Sequence, residues 1–208
     1  MEANDFEPDR ITVAKQTAVD FVNEAPIGVK MGVVSFSGNS YIKQDMSEDK
    51  TEIKNSINDI NIETWGGTDI YEAVITSANL LHDEEYKVII LLSDGQINVG
   101  KMEEIIYYAQ ENEVMIHAIA IGTKEGGKTP YYAVSKLDED SLKSISYNTG
   151  GKYFLAEDNK ELSQSFLEIL NLTKMNVSIN LFNYLILLSI ALFIIEFFLA
   201  NTRYLNIF

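Results

Sequence analysis

Val88-Ile-Ile-Leu-Leu-Ser-Asp94-Gly95 is the stretch of sequence that decides the fold. Five consecutive aliphatic residues, preceded by an acidic turn at 83–85 and followed by Asp94-Gly95, predict a strand buried on both faces. Such a strand lies in the middle of a parallel sheet, and its carboxyl end opens onto the crevice in which open α/β sheets bind ligands. Asp94 stands at that end and is a candidate cation ligand; the alternative is a carboxylate that only caps the next helix.

The rest of the chain alternates between strand and helix patterns. Further strands are predicted at 30–36, 115–121 and 152–155, with a short edge strand at 41–42. Helical periodicity predicts helices at about 9–25, 49–60, 69–82, 102–112, 139–147 and 159–172. This alternation predicts an α/β fold of three layers, Rossmann-like, with a doubly wound and mostly parallel sheet.

Composition excludes several classes of function. The chain has no cysteine, which excludes disulfides, thiolate metal sites and cysteine nucleophiles. Of the two histidines, His117 lies inside an apolar strand pattern, which predicts a core or sheet-face residue, and His82 ends a helix. The net charge of -15 argues against binding to nucleic acid, whose phosphates require a basic surface. No nucleophile and base cluster along the sequence, so we expect a protein that is not an enzyme.

Residues 181–200 differ in character from the rest of the chain. Only Asn183, Ser189 and Glu196 interrupt this apolar segment. About 20 apolar residues are enough to cross a hydrocarbon core of about 30 Å. The sequence therefore predicts a transmembrane helix over 180–201 that contacts the lipid bilayer through Leu181–Ala200.

The flanking segments complete the predicted domain organisation. Residues 1–158 form the α/β domain, 159–179 form an amphipathic helix and juxtamembrane linker, and 202–208 form a short tail. Arg203 is the only charged residue beyond the apolar segment. Its position favours a single-pass protein of the cell membrane with the soluble domain on the external side.

Six blocks of sequence, in a fixed order, carry a resemblance to a known family. They are Asn4-Asp-Phe-Glu-Pro-Asp-Arg10 with Ala14-Lys15, Gly32-Val-Val-Ser-Phe-Ser-Gly38, Trp65-Gly-Gly-Thr-Asp-Ile70, Ile89-Ile-Leu-Leu-Ser-Asp-Gly95, Ile119-Ala-Ile-Gly122 and Thr149-Gly-Gly-Lys-Tyr-Phe154. Together they resemble the von Willebrand factor A domain, in the membrane-anchored form similar to bacterial and archaeal aerotolerance-type proteins. The resemblance implies a module that binds a protein partner, itself a membrane or membrane-associated protein.

The resemblance also implies a metal-ion-dependent adhesion site. In this family a divalent cation, Mg²⁺ or Mn²⁺, is held by hydroxyls and carboxylates at the carboxyl ends of the strands. A carboxylate of the partner completes the octahedron that such a cation requires. The matched positions imply that Thr68 supplies a hydroxyl and that Asp94 supplies a carboxylate, directly or through water.

One element of the family pattern has no counterpart here. The family carries Asp-x-Ser-x-Ser at the end of its first strand, just before a segment similar to residues 2–10. We therefore expect a sheet that lacks its first central strand, and a chain truncated before that motif. Asn4 and Asp5 are the only nearby substitutes, although they match positions after the site. Magnesium binding should be weak or absent, because Mg²⁺ gives up its waters reluctantly.

Two alternatives stay open beside the metal-dependent binding module. The first is a degenerate interaction domain that works without metal. The second is a nucleotide-binding enzyme, because residues 122–129 match the phosphate-binding loop pattern. Such a loop must open a helix whose dipole faces the phosphates, and the sequence after Pro130 does not predict one.

Overall fold

The computed structural model describes residues 1, 3, 5–62, 67–93, 102–123, 127–128, 134–135, 139–176 and 182–204. The chain divides into two compact units, Met1–Leu172 and Thr173–Phe208. The first unit holds the α/β domain. In the second unit the described helix is α7, Phe182–Tyr204, together with the last residues of α6.

Helices and strands alternate in the order expected from the sequence. The helices of the first unit are α1 Arg10–Glu24, α2 Lys50–Asn58, α3 Ile70–Leu80, α4 Met102–Glu111, α5 Glu139–Asn148 and α6 Asn159–Asn176, whose last turn extends into the second unit. The strands are β1 Met31–Phe36, β2 Ser40–Ser47, β3 Lys87–Ser93, β4 Val114–Ile121, β5 Gly127–Lys128, β6 Val134–Ser135 and β7 Tyr153–Ala156. The sequence underestimated β2, because backbone pairing with β1 extends it beyond its short apolar pattern.

Aspartates at the first turns explain where three helices begin. Asp9 accepts a hydrogen bond from the backbone N–H of Thr12 at α1, and Asp49 accepts one from the N–H of Thr51 at α2. Asp69 accepts a hydrogen bond from the N–H of Glu72 at α3. Each carboxylate satisfies an amide that has no partner inside the helix and opposes the positive end of the helix dipole.

The parallel sheet is built around β4. The strand order is β3-β4-β7, and both pairings are parallel. Side chains alternate between two cores on opposite faces of this sheet. Ile89 and Leu91 of β3 pack with α3, α4 and α5, whereas Ile90 and Leu92 pack with α1 and α6. Helices thus cover both faces, and the predicted three-layer α/β arrangement is confirmed.

The strands β1 and β2 form a separate antiparallel pair. Among the described strands, β1 pairs with β2 alone and β3 pairs with β4 alone. Helix α3 packs against β1, β2 and β3, so it bridges the two sheets. No described strand pairs with both β1 and β3, and the expectation that the sheet lacks its first central strand stays a prediction.

His117 occupies β4 in the sheet interior, as predicted. Its side chain is buried, and its Nδ1 accepts a hydrogen bond of 3.0 Å from the backbone N–H of Lys152. Burial, and to a smaller extent the charge of Lys152, lower the pKa of His117 below its usual value of 6.5. A neutral ring suits this structural role, because only neutral imidazole can accept a hydrogen bond.

Helix α7 carries large apolar side chains that are exposed to solvent. The described ones extend from Leu185 to Leu199, and Phe193 has the largest exposed fraction, 71%. Within the part of the chain that the structure describes, no helix is both long enough and apolar enough to span a membrane. The transmembrane helix predicted over 180–201 is therefore not supported there.

Gly151, two residues before β7, provides a test of how closely the backbone approaches β4 at this point. A Cβ at this position would lie 2.0 Å from the carbonyl oxygen of Ile116, which belongs to the backbone of β4. Gly151→Ala should lower the free energy of unfolding by about 3 kcal/mol, because backbone atoms must move to relieve the clash. Urea denaturation followed by circular dichroism measures this loss.

Gly150→Ala is the matched control. Gly150 has a φ of +79° but open space around its Cβ position, so alanine meets strain without a clash. Its expected cost is about 1 kcal/mol. An equal or smaller loss for Gly151→Ala than for Gly150→Ala would contradict the close approach of Gly151 to β4.

Candidate functional site

The loop that leads into α3 is fixed to the end of β1. The backbone N–H of Asp69 donates a hydrogen bond of 2.7 Å to the carbonyl oxygen of Ser37, the residue that follows β1. Gly67 has a φ of +137°, and a Cβ there would lie 3.1 Å from the Cα of Gly38. Glycine is therefore required at 67 both by the backbone conformation and by the close approach of the two loops.

Thr68 lies between these two anchored residues and is half-buried. Its neighbour Asp69 is committed to the helix, since its Oδ1 accepts a hydrogen bond of 2.9 Å from the N–H of Glu72. Asp69 is therefore the cap of α3. The role of Thr68 as a hydroxyl ligand of a cation stays a prediction.

Asp94, the second predicted ligand, lies outside the described residues. Strand β3 is described up to Ser93, which is buried and pairs with Ala120 of β4. Among the described residues, no three acidic or histidine side chains gather closely enough to hold a metal ion. A metal site formed by Thr68 and Asp94 therefore stays a prediction.

Asp5, which the sequence offered as a substitute ligand, is engaged elsewhere. The Arg10 guanidinium donates two hydrogen bonds of 2.6 Å to its carboxylate, one from Nε and one from Nη2. The N–H and the hydroxyl of Thr123 also donate to Asp5, at 3.0 and 3.2 Å. Asp5 therefore holds the start of α1 against the end of β4 and is not available to a cation; Asn4 lies outside the described residues.

The electrostatics of Asp5 follow from this arrangement. Its side chain is 8% exposed and that of Arg10 is 1% exposed. Burial by itself raises the pKa of Asp5, but the hydrogen bonds from Arg10 and Thr123 and the charge of Arg10 outweigh it. Together they lower the pKa from 3.8 to about 2. The sequence did not reveal the hydrogen bonds between Thr123 and Asp5, because these residues are 118 positions apart.

The described residues of the phosphate-binding pattern at 122–129 do not begin a helix. Gly127 and Lys128 form β5, which pairs antiparallel with β6. A phosphate-binding loop would begin a helix at this point. Gly122 instead lies against Arg10, since a Cβ at Gly122 would be 2.8 Å from the guanidinium. These observations argue against the nucleotide-binding alternative.

Comparison with known proteins agrees with this architecture. Residues 1–96 match the von Willebrand factor type A domain. The matched residues make up a little under half of the chain. A UPF0353 protein of Nocardia farcinica (strain IFM 10152) is 26% identical over 189 residues, which are 78% of this chain and 56% of that protein. The chain thus spans a little over half the length of the curated relatives it matches.

Two solved structures share the fold. An aerotolerance-related membrane protein from Bacteroides fragilis has a TM-score of 0.73 at 19% identity, covering 82% of this chain and 92% of that one. Proximal thread matrix protein 1 from the mussel byssus, with a zinc-occupied metal-ion-dependent adhesion site, has a TM-score of 0.63 at 22% identity. That match covers 83% of this chain and 43% of the mussel protein. The predicted likeness to aerotolerance-type von Willebrand factor A proteins is confirmed.

The Asp5–Arg10 pair predicts how stability depends on pH. Because the pKa of Asp5 is lower in the folded state, the unfolded chain takes up the proton first as the pH falls. The contribution of this pair is therefore complete above about pH 4, and it is lost as the pH falls towards 2. A shift from 3.8 to about 2 corresponds to roughly 2 kcal/mol of unfolding free energy.

Urea denaturation at several pH values tests this expectation. Asp5→Asn should remove this part of the acid dependence and, at pH 7, lower the unfolding free energy by about 3 kcal/mol, because Arg10 is left buried without its partner. Asp20→Asn changes an exposed carboxylate on α1 and should leave the acid dependence unaltered. An Asp5→Asn chain with the parent's acid dependence would contradict the assignment.

Proposed function

We propose that this chain is a non-enzymatic von Willebrand factor A module that binds a protein partner at the loop carrying Thr68. The observation that carries the proposal is the anchoring of this loop. Backbone contacts to Ser37 and Gly38 fix the residues on either side of Thr68, while the carboxylate of Asp69 is used by α3. A hydroxyl carried by an anchored loop backbone suits recognition, since little backbone freedom is lost on binding.

The cation is the second part of the proposal. Thr68 would supply a hydroxyl oxygen and Asp94, which follows β3 in the sequence, would supply a carboxylate oxygen. Both are hard oxygen ligands of the kind that Mg²⁺ and Mn²⁺ prefer. Two protein ligands leave most positions of an octahedron to water or to a partner's carboxylate. We therefore expect weak binding by the isolated chain, and a cation that contributes mainly when the partner is bound.

Titration of the full chain with Mn²⁺, followed by electron paramagnetic resonance, tests the cation. Thr68→Ala and Asp94→Ala should each weaken Mn²⁺ binding by roughly tenfold or more, because each removes one of two ligands. Asp49→Ala is the matched control. It removes a helix-capping aspartate of α2, at a cost of about 1 kcal/mol, but not the loop.

The same titration separates the proposal from its main alternative. If the chain binds no Mn²⁺, or if both variants bind Mn²⁺ as the parent does, the hypothesis of metal-dependent partner binding is wrong. A metal-independent interaction domain would then be favoured, consistent with the absence of a three-residue acidic or histidine cluster within the described residues.

We also propose that the second unit tethers the module to a membrane. The segment 181–200 is almost entirely apolar in sequence, and the described side chains of α7 expose leucine, isoleucine and phenylalanine to solvent. Exposed apolar surface of this extent is unfavourable in water and favourable in lipid. The structural relative from Bacteroides fragilis is described as a membrane protein, which supports the proposal.

Membrane extraction of the full chain tests the tether. The parent should stay with the membrane pellet at alkaline pH, whereas Leu188→Lys combined with Phe193→Lys should shift most of the protein to the supernatant, because buried lysines are costly in lipid. Tyr107→Lys, at an exposed position of α4, is the control. Release of the parent by alkali would contradict the tether.

Because the chain has no cysteine, a single introduced cysteine can test whether the domain lies on the external side of the membrane. Ile27 is 100% exposed, so Ile27→Cys provides a single accessible thiol. A maleimide that does not cross membranes should label this thiol in intact cells. Labelling that appears only after lysis would place the domain on the internal side.

A further inference from the structure

One face of α7 has a regular spacing of residues. Leucine recurs at every seventh position, at Leu185, Leu192 and Leu199, and a polar residue follows four positions after each of the first two, at Ser189 and Glu196. The five positions thus succeed one another at intervals of four, three, four and three residues. This is the spacing of the contact positions in coiled coils. We call these five residues the seam.

The seam holds both polar residues of its segment. Every other position between 185 and 199 is leucine, isoleucine, phenylalanine or alanine. The three leucines of the seam are exposed, as are the apolar side chains on the other faces of α7. Apolar side chains are satisfied by lipid, whereas polar groups inside a membrane ordinarily face another helix. The seam is therefore the face of α7 that lipid alone does not satisfy.

Ser189 suits close packing on the seam. Its Oγ donates a hydrogen bond of 3.1 Å to the carbonyl oxygen of Ile186 in the same helix. The hydroxyl is therefore satisfied within α7, and the residue presents only a small surface to a neighbour. Small residues allow the backbones of two membrane helices to approach closely.

The carboxyl group of Glu196 has no such internal partner. Within the described residues, no group forms a hydrogen bond or an ion pair with it. Glu196 lies four residues before Ala200, about 6 Å inside the end of the apolar segment. Because Cα–Cβ bonds tilt towards the amino end of a helix, the side chain leaves the backbone in the direction away from that nearer end. In the proposed tether the carboxyl group is thus placed in hydrocarbon, which provides no hydrogen bonds.

A second copy of this chain provides the missing partner. Identical chains cross a membrane in the same orientation, so two α7 helices are parallel and equivalent residues lie at the same depth. Glu196 then faces Glu196 of the second copy, and a proton shared between the two carboxyl groups forms a hydrogen bond. Residues 181–200 contain no basic residue, so two copies have no ion pair to form at this depth. The leucines of the seam meet their own equivalents in the same register.

We infer that α7 is a self-association surface, through which two copies of this chain pair in parallel along the seam, with Glu196 hydrogen-bonded to Glu196 of the second copy. The inference rests on the proposed membrane tether, because the bilayer gives the two helices their common orientation and depth. It does not rest on the cation proposed at Thr68. A paired anchor carries two binding modules, which increases the avidity for a partner that has two sites.

Disulfide cross-linking tests the seam in the full chain. The chain has no cysteine, so one introduced cysteine reports on one position. Chains with Leu192→Cys are reconstituted in phosphatidylcholine vesicles and oxidised with copper phenanthroline. Ile194→Cys is the matched control, since Ile194 has a similar exposed fraction but lies about 3 Å away in depth and about 200° around the helix. Leu192→Cys should form the disulfide-linked dimer roughly tenfold faster, because a disulfide requires Cα atoms within about 7 Å.

The possible outcomes separate the seam from the tether. Equal rates for the two cysteine variants would overturn the inference, since random collisions select no face of the helix. A faster reaction of Ile194→Cys, or no dimer from either variant, would overturn it as well. Alkaline extraction of the same vesicles identifies which proposal has failed. Protein that stays in the pellet contradicts the seam alone, whereas protein released by alkali contradicts the tether and, with it, the inference.

Substitutions at Glu196 test the hydrogen bond between the copies. In the Leu192→Cys chain, Glu196→Ala should slow cross-linking by roughly fivefold, because a hydrogen bond between membrane helices is lost. Glu196→Gln should keep the rate within about twofold of that of the Leu192→Cys chain, since an amide both donates and accepts hydrogen bonds. If Glu196→Ala cross-links as fast as the Leu192→Cys chain alone, the two carboxyl groups do not pair and the inference is wrong.

Discussion

The parallel pairing of β3 with β4 is the interaction on which the rest of the structure depends. It is continuous from Lys87 with Val114 to Ser93 with Ala120, so it aligns the side chains of both strands in register. Alternate residues then enter the two cores, and each core is completed by helices on its own face. Burial of aliphatic side chains on both faces is the main stabilising contribution, at about 25 cal/mol per Å² of apolar surface. Polar features of the domain are arranged around this apolar centre.

The Asp5–Arg10 pair connects the amino-terminal segment to that centre. Arg10 is the first residue of α1, and Thr123 follows β4 by two residues, so their shared contact with Asp5 sets where α1 crosses the sheet. A buried ion pair is not by itself strongly stabilising, since both charges lose their water. Its role here is geometric, because Asp5 contacts both α1 and the residue that follows the end of β4. The same arrangement explains why Asp5 does not serve as a metal ligand.

Local pattern was sufficient to predict most of the first unit. The aliphatic run at 88–92 and the caps at Asp9 and Asp69 depend on neighbouring residues, so they are visible in sequence. Contacts between distant residues were not predicted. The Asp5–Thr123 hydrogen bonds and the β5–β6 pairing depend on how loops meet after folding. The candidate site was predictable in part, because Thr68 precedes a helix cap, whereas its relation to Asp94 depends on how two loops are placed.

Helix α3 connects the candidate loop with both sheets. Its first turn is fixed by the cap at Asp69 and by the hydrogen bond to Ser37, next to Thr68, and the helix packs against β1, β2 and β3. The position of Thr68 therefore depends on the packing of α3 as well as on the contacts of its own loop.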